Sequence, residues 1–203
     1  DLSFEKAYWE AGVSRVGGID EAGRGPLAGP VVAAVVILPP HPAMMARLAG
    51  VRDSKQMTPA QREAACGRIQ EAALGYAVGF AEAAEIDVLG ILPATRMAAW
   101  RAMQGLEVAP AHLLLDCLFL PDIELPQTSL IKGDCRSLSV AAASVLAKTA
   151  RDARLVAMEQ EYPGYGFARH KGYGTASHRE ALQRLGPCLE HRRSFHLKAL
   201  AGL

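Results

Sequence analysis

The segment VGGIDEAGRGPLAGPVVAAVVIL, residues 16–38, restricts the fold more than any other part of the chain. Two short apolar, β-branched segments, Val16 to Glu21 and Pro30 to Leu38, are separated by Gly23, Gly25, Pro26 and Gly29. That pattern predicts an antiparallel pair of strands joined through turn residues. Asp20 and Glu21 end the first run, where a buried, uncompensated acid is costly. Two readings fit: a turn in which both acids face water, or a site for a hard divalent cation. Because side chains alternate across a strand, both acids reach one site only near the strand end. Gly23 and Gly25 flank Arg24, which clears the way for backbone amides to approach a phosphate or sugar beside a planar guanidinium.

Further along, Thr58 reads as an N-cap, Pro59 as the first helical residue and Gln61 as the partner in a capping box. A helix is expected from about Pro59 to Ala73. Tyr76, Val78 and Phe80 alternate with small residues and predict a third strand. From Glu85 to Gln104 the apolar positions have helical spacing interrupted at Gly90 and Pro93, so a short helix and then a longer one from about Pro93 are expected. Met97, Trp100 and Met103 there read as core. His112 to Leu115 has the unbroken apolar character of a central strand covered on both faces, with Asp116 at its end. An acid in that position is either a cap or turn residue, or a ligand where open α/β sheets place their sites. Asp134 follows Lys132 and Gly133, ahead of a helix that begins near Ser137 or Ser139 and packs closely through its alanines and serines. Asp152 reads as a structural partner of Arg151 or another neighbouring base.

A chain of 203 residues can bury a sizeable core, and its composition, half hydrophobic and 21% charged, excludes disorder. The opening residues DLSFEKAYWE resemble no signal peptide and no apolar run reaches membrane-spanning length, so a soluble, cytoplasmic protein is expected. Cys66, Cys117, Cys135 and Cys188 lack metal-binding spacing and read as reduced, mostly buried thiols. Net charge is +1, but residues 148–203 carry 10 Lys and Arg against 5 Asp and Glu, while residues 1–147 carry 12 against 16. A basic C-terminal quarter beside an acidic remainder suits a protein that holds cations with one part and a phosphate backbone with the other; a solvated basic helix gives the same count.

The stretch GIDEAGRGPLAGPVVAA is similar to the opening signature of the ribonuclease HII family, the type 2 ribonucleases H. Three further blocks agree: D-S-K at residues 53–55, K-G-D followed by AAASVLAKTARD, and H-K-G-Y-G-T at residues 170–175. The likeness runs from about Val16 to Phe195, with Gln56 and Cys135 standing where lysine and serine are usual. It implies one α/β domain over residues 1–203 with a ribonuclease H-like fold: a mixed central sheet begun by three antiparallel strands and flanked by helices. A small helical C-terminal extension from about residue 160 would complete the substrate groove.

The same resemblance implies that Asp20, Glu21, Asp116 and Asp134 are catalytic acids holding two divalent ions, Mg²⁺ or Mn²⁺, for in-line phosphodiester hydrolysis. Gly23, Arg24, Gly25 and Tyr173 would read the ribose 2′-hydroxyl, the group that separates RNA from DNA. Lys55, otherwise a solvated residue in a capping turn, becomes a phosphate contact, and His170 and Lys171 are candidates for the same role. His178, His191 and His196 read as structural or surface residues. The implied activity is endonucleolytic cleavage of RNA in RNA/DNA hybrids and at single ribonucleotides in duplex DNA, giving 3′-hydroxyl and 5′-phosphate ends, as in replication and ribonucleotide excision repair. Its partners are those duplexes, not a membrane; a monomer is expected, without the extra domain of type 3 enzymes or a clamp-docking tail. Two rivals share part of the pattern: a non-catalytic hybrid-binding module, which needs no set of acids, and another two-metal nuclease of the same core fold, which cuts DNA.

Overall fold

The computed structural model describes residues 1–195. In chain order its elements are α1 (Ser3–Glu10), β1 (Val16–Ala22), β2 (Val31–Ile37), α2 (Met44–Arg47), α3 (Pro59–Ala72), β3 (Gly75–Ala81), α4 (Ala83–Leu89), α5 (Ile91–Gln104), β4 (His112–Asp116), β5 (Gln127–Leu130), α6 (Gly133–Arg136), α7 (Leu138–Glu161), α8 (Phe167–His170) and α9 (Ala176–Leu185). Single 3₁₀ turns cover Ser54–Gln56 and Arg193–Phe195. The five strands form one mixed sheet in the order β3-β2-β1-β4-β5. β1, β2 and β3 are antiparallel neighbours, whereas β4 runs parallel to both β1 and β5.

Every residue of β2 is buried because both faces of the sheet are covered, which is why VVAAVVI shows no polar alternation. On one face Val32, Ala34 and Val36 pack with Ala142, Ala143 and Leu146 of α7 and Ile69 of α3. On the other, Val31, Ala33 and Val35 meet Ala94, Ala98 and Ala102 of α5, together with Leu113 and Leu115. The small residues on both helices bring them close to the sheet. Two glycines allow this: a Cβ at Gly18 of β1 would lie 2.2 Å from the Ser139 carbonyl carbon of α7, and one at Gly79 of β3 would lie 2.1 Å from the Ala98 carbonyl oxygen of α5. Glu5 of α1, fully buried, accepts hydrogen bonds from the Ser139 amide at 2.8 Å and the Ser137 hydroxyl at 2.6 Å, and so anchors the start of α7. A third cluster joins Leu27 and Ala28 to Leu155 and Met158 of α7 and to Tyr165, Phe167 and Leu182.

The expected strands, the α3 helix with its Thr58–Gln61 capping box, and the break at Gly90 are all present. The longer helix starts at Ile91, so Pro93 occupies its first turn, where a missing amide costs nothing. Several expectations need correction. Trp100 is 48% exposed, on the outer side of α5, while Met97 and Met103 are only partly buried against the core. Cys117 and Cys135 are exposed and Cys66 and Cys188 half-buried, so the thiols are free but not mostly buried. The structural reading of Asp152 holds, in its alternative form: it pairs with the neighbouring bases Lys148 at 2.6 Å and Arg62 at 3.0 Å, while the Arg151 guanidinium binds backbone carbonyls. α1 and β5 carried no sequence expectation. Among the described residues no helix is long and apolar enough to cross a membrane. His196 and the rest of the expected C-terminal helical part beyond Phe195 lie outside the described residues.

Substituting Gly18 with alanine forces a methyl group into the α7 backbone, an overpacking that costs about 3 kcal/mol. Thermal unfolding is expected to move down by roughly 2–4 °C for each kcal/mol lost; an unchanged midpoint would refute this account of how α7 docks.

Candidate active site

The acids converge because of strand direction. In the β1/β4 pair, Ile19 lies opposite Leu115, which sets Asp20 and Asp116 side by side one step further on, at the C-terminal ends of two parallel strands. Gly18 and Asp20 share the pleat that faces α7, and Leu114 and Asp116 share the corresponding pleat of β4. Asp134 arrives from α6, immediately ahead of α7, and the Gly133 amide donates to Asp116 Oδ1 at 2.7 Å, which fixes α6 against the end of β4. Asp20 is 5% and Asp134 7% exposed. One carboxylate oxygen from each of Asp20, Asp116 and Asp134 lies within 4.8 Å of the other two.

Glu21 is outside this close triad. It takes the opposite pleat, facing Ala33, where its Oε1 accepts from Arg24 at 3.3 Å and its Oε2 is buried without a partner. The loop Asp53–Gln56 is brought over the acids by α7: the Ser144 hydroxyl donates to the Ser54 hydroxyl at 2.8 Å, and the Ser54 amide donates back to Ser144 at 3.3 Å. Lys55 thereby joins Asp53, Asp116, Asp134 and the thiols of Cys117 and Cys135 around a cleft of about 330 Å³.

This much negative charge is under strain. Burial raises the Asp20 carboxyl well above the usual range, and Glu21, Asp116 and Asp134 push it the same way against a hydrogen bond from the Glu21 amide. Burial also raises Glu21, opposed by Arg24, and raises Asp134 with help from Asp116 and Asp53. Burial works against the Lys55 ammonium, but Asp53, Asp20, Asp134 and Asp116 outweigh it and hold its pKa above normal. An all-carboxylate donor set, mutual repulsion and an orphaned Glu21 oxygen next door together fit a hard divalent cation.

The residues expected to meet substrate fall into two groups. Arg24 and Gly25 are the exposed part of the turn directly after the acids, with Gly23 half-buried, and Tyr173, 47% exposed, lies two residues after Lys171, whose carbonyl accepts from Arg151. Gly23 has φ +95°, and a Cβ there would lie 2.0 Å from Arg151 Nε, so only glycine fits. His170 is placed differently from the expectation. It is buried, its Nε2 is 2.8 Å from the Tyr165 carbonyl and its Nδ1 accepts from the Gly172 amide, which leaves no ring nitrogen for a phosphate. The Lys171 ammonium donates to the Ala168 carbonyl. His178 and His191 are buried with their Nε2 atoms 3.0 Å apart.

Two residues at the site carried no sequence expectation of this role: Arg151 and Arg192, both fully buried beneath the Gly23–Pro30 loop. A signal for the first does exist, since Ala147, Arg151, Leu155 and Met158 form one buried stripe along α7 and a cation in an apolar stripe needs acceptors. Arg192, in an irregular segment, offers no such periodicity.

The family model described as Ribonuclease HII matches residues 17–198. A curated ribonuclease HII of Moorella thermoacetica is 50% identical over 193 residues, covering 95% of this chain and 92% of that protein. Among solved structures, the ribonuclease H2 from Pyrococcus horikoshii OT3 superposes with a TM-score of 0.71 at 26% identity, covering 93% and 99% of the two chains. Bst-RNase HIII, solved in complex with Mn²⁺, shares the fold with a TM-score of 0.69 at 21% identity, over 93% of this chain and 70% of that one.

The raised carboxyl pKa values mean that the folded chain binds protons here more tightly than the unfolded chain. Ionised acids therefore oppose folding; the penalty is complete above the raised values and fades as pH falls into the ordinary carboxylate range. In EDTA, Asp20→Asn is expected to raise the melting temperature by a few degrees at about pH 7, with the gain shrinking towards about pH 4. Calorimetry across that range checks it; a gain that grew on acidification would contradict the sign.

Proposed function

Because the chain belongs to the ribonuclease HII family and is thus a ribonuclease H-type endonuclease, we propose that it cleaves the RNA strand of RNA/DNA hybrids and incises duplex DNA at single ribonucleotides. The observation that carries this reading is the meeting of Asp20, Asp116 and Asp134 within 4.8 Å, directly ahead of an exposed Gly-Arg-Gly turn. Hydrolysis with 3′-hydroxyl and 5′-phosphate products is the reaction that such a carboxylate set supports.

In this reading Asp20, Asp116 and Asp134 hold the divalent cations, Mg²⁺ or Mn²⁺, with Glu21 completing the set through the oxygen that has no partner. Two such ions, when bound, supply Lewis-acid stabilisation of the attacking and leaving oxygens of the phosphodiester. The chain's own residues do the rest. Lys55, kept charged by four acids, faces the cleft and takes a non-bridging phosphate oxygen. Arg24 bonds Glu21 and so ties the turn to the acids. The glycines at 23 and 25 let the backbone close on the sugar, and Tyr173 offers its exposed ring to the sugar or base beside it. Replacing the 2′-hydroxyl with hydrogen would leave that polar turn unpaired, which is the physical basis of discrimination.

The deciding assay uses a labelled DNA duplex with one ribonucleotide, in Mg²⁺ or EDTA, beside an all-DNA control. A Mg²⁺-dependent nick 5′ to the ribonucleotide, absent from the control, is expected. Cutting of the control would point to a DNA nuclease of the same fold, and metal-free binding without turnover to a binding module. Asp20→Asn and Asp116→Asn should each lower kcat by roughly 10³-fold, the worth of several kcal/mol of transition-state stabilisation, with substrate affinity kept; robust activity in either would overturn the metal assignment. Tyr173→Ala should cost about 10- to 100-fold in cleavage at the ribonucleotide, the scale of a lost stacking contact, with little change in melting temperature since the side chain is half exposed.

A further inference from the structure

Arg151 and Arg192 are the largest fully buried side chains among the described residues, and neither pairs with a carboxylate there. Each spends its guanidinium on three backbone carbonyls. Arg151 donates from Nε to Pro30 at 2.9 Å, from Nη2 to Ala28 at 3.1 Å and from Nη1 to Lys171 at 3.0 Å. Arg192 donates from Nε to Gly29 at 2.9 Å, from Nη1 to Arg24 at 3.0 Å and from Nη2 to Gly23 at 2.6 Å. Five of the six acceptors lie in the loop after the acids and the sixth, Lys171, stands two residues before Tyr173.

The two chain segments are joined directly as well. The Leu27 amide donates to the Gly172 carbonyl at 2.8 Å, and the Arg192 amide to the Leu27 carbonyl at 2.9 Å. Loop, Tyr173 segment and Arg192 segment therefore form one joint with the guanidinium groups at its centre. An apolar side chain would fill such volume at lower desolvation cost, so a pair of buried cations here signals a need for fixed geometry. Burial lowers Arg151 to about 10 and, with Arg151 repelling it, Arg192 to about 9, so both remain cations at neutral pH.

The consequence reaches the sugar. The carbonyls of Gly23 and Arg24 belong to the same peptide units as the amides of Arg24 and Gly25. Charge-assisted bonds to those carbonyls fix the two peptide planes and polarise their N–H groups, which makes them stronger donors. Arg151 also forbids any side chain at position 23.

We propose that Arg151 and Arg192 are positioning residues for sugar discrimination, holding the Gly23–Gly25 turn and Tyr173 in one register so that both meet the same 2′-hydroxyl. This rests on the reading that those residues face the ribonucleotide. Lysine at either position keeps the charge but not the planar three-way fork. The test compares kcat/KM on a DNA duplex with one ribonucleotide and on a continuous RNA/DNA hybrid for the wild type, Arg151→Lys and Arg192→Lys. Each lysine variant is expected to lose about 10²-fold on the single ribonucleotide, the scale of a misplaced contact of about 1 Å, and at least about tenfold less on the hybrid, where many sugars offer alternative registers. The ratio is independent of how much of a preparation is folded. Equal losses on both substrates, or no loss, would reduce the arginines to structural residues and overturn the proposal. Should circular dichroism show both variants unfolded, Gly172→Ala serves instead: its Cβ would lie 2.4 Å from the Ala28 carbonyl oxygen, an acceptor of Arg151, and so load the same joint with both arginines intact. It should shift the ratio in the same direction, and an unchanged ratio would sink the idea. A wild-type enzyme that cut the hybrid but left the single ribonucleotide intact would instead remove the reading of the turn and Tyr173 on which the proposal stands.

Discussion

Three carboxylates within 4.8 Å of one another repel, and in water they would separate. Two backbone arrangements hold them. The parallel pairing of β1 with β4 places Asp20 beside Asp116, and the docking of α7 against Gly18 brings α6 and Asp134 to the same strand ends. The strand pairing and the docking of α7 do not need the acids, although Asp116 adds a hydrogen bond from the Gly133 amide that helps to seat α6. The sheet and α7 are stabilised by apolar burial on both faces, of order 25 cal/mol per Å² of area, and this gain can offset the repulsion at one edge. The acids are thus held in place ahead of any cation, at a cost to the stability of the apo chain that is common where function selects the residues.

The same helix organises everything else at the site. Its first turn is anchored by Glu5 of α1, its Ser144 holds the Asp53–Gln56 loop, its Asp152 gathers Arg62 and Lys148, and its Arg151 supports the turn after the acids. One 24-residue helix therefore sets the relative positions of the acids, the lysine loop and the Gly23–Gly25 turn. A site assembled from loops alone would not hold these groups to within fractions of an ångström.

Much of this was legible in the sequence, for reasons that can be stated. Strands β1 and β2 follow from β-branched runs bounded by glycines, and α3 from a capping box whose two hydrogen bonds are both present. Asp116 stood out because an acid ended an apolar strand. What was not legible depends on tertiary contacts. Trp100 shares the helical spacing of core residues, but α5 presents that position outward, and spacing alone does not say which edge of a stripe is covered. β5 is four residues of mixed polarity, QTSL, and exists through its pairing with β4. His170 lies beside exposed Tyr173 in the same block, yet its ring turns inward to fasten the Tyr165 and Gly172 backbone.

The net charge of a segment is a poor guide to its surface. The basic excess of the C-terminal quarter suggests a phosphate-binding face, but its residues divide by what they touch. Arg151 and Arg192 are buried on carbonyls, Lys148 is engaged by Asp152, and Arg154 pairs with Glu161 and Glu190. Among the described residues of that quarter, Arg169, Lys171, Arg179, Arg184 and Arg193 are the cations neither fully buried nor in a salt bridge with a carboxylate, and these can contribute to the field a nucleic acid meets. The sign of a segment's charge describes the potential at a distance. What a site can recognise depends instead on the few donors that geometry leaves unspent, and burying Arg151 and Arg192 on carbonyls spends both.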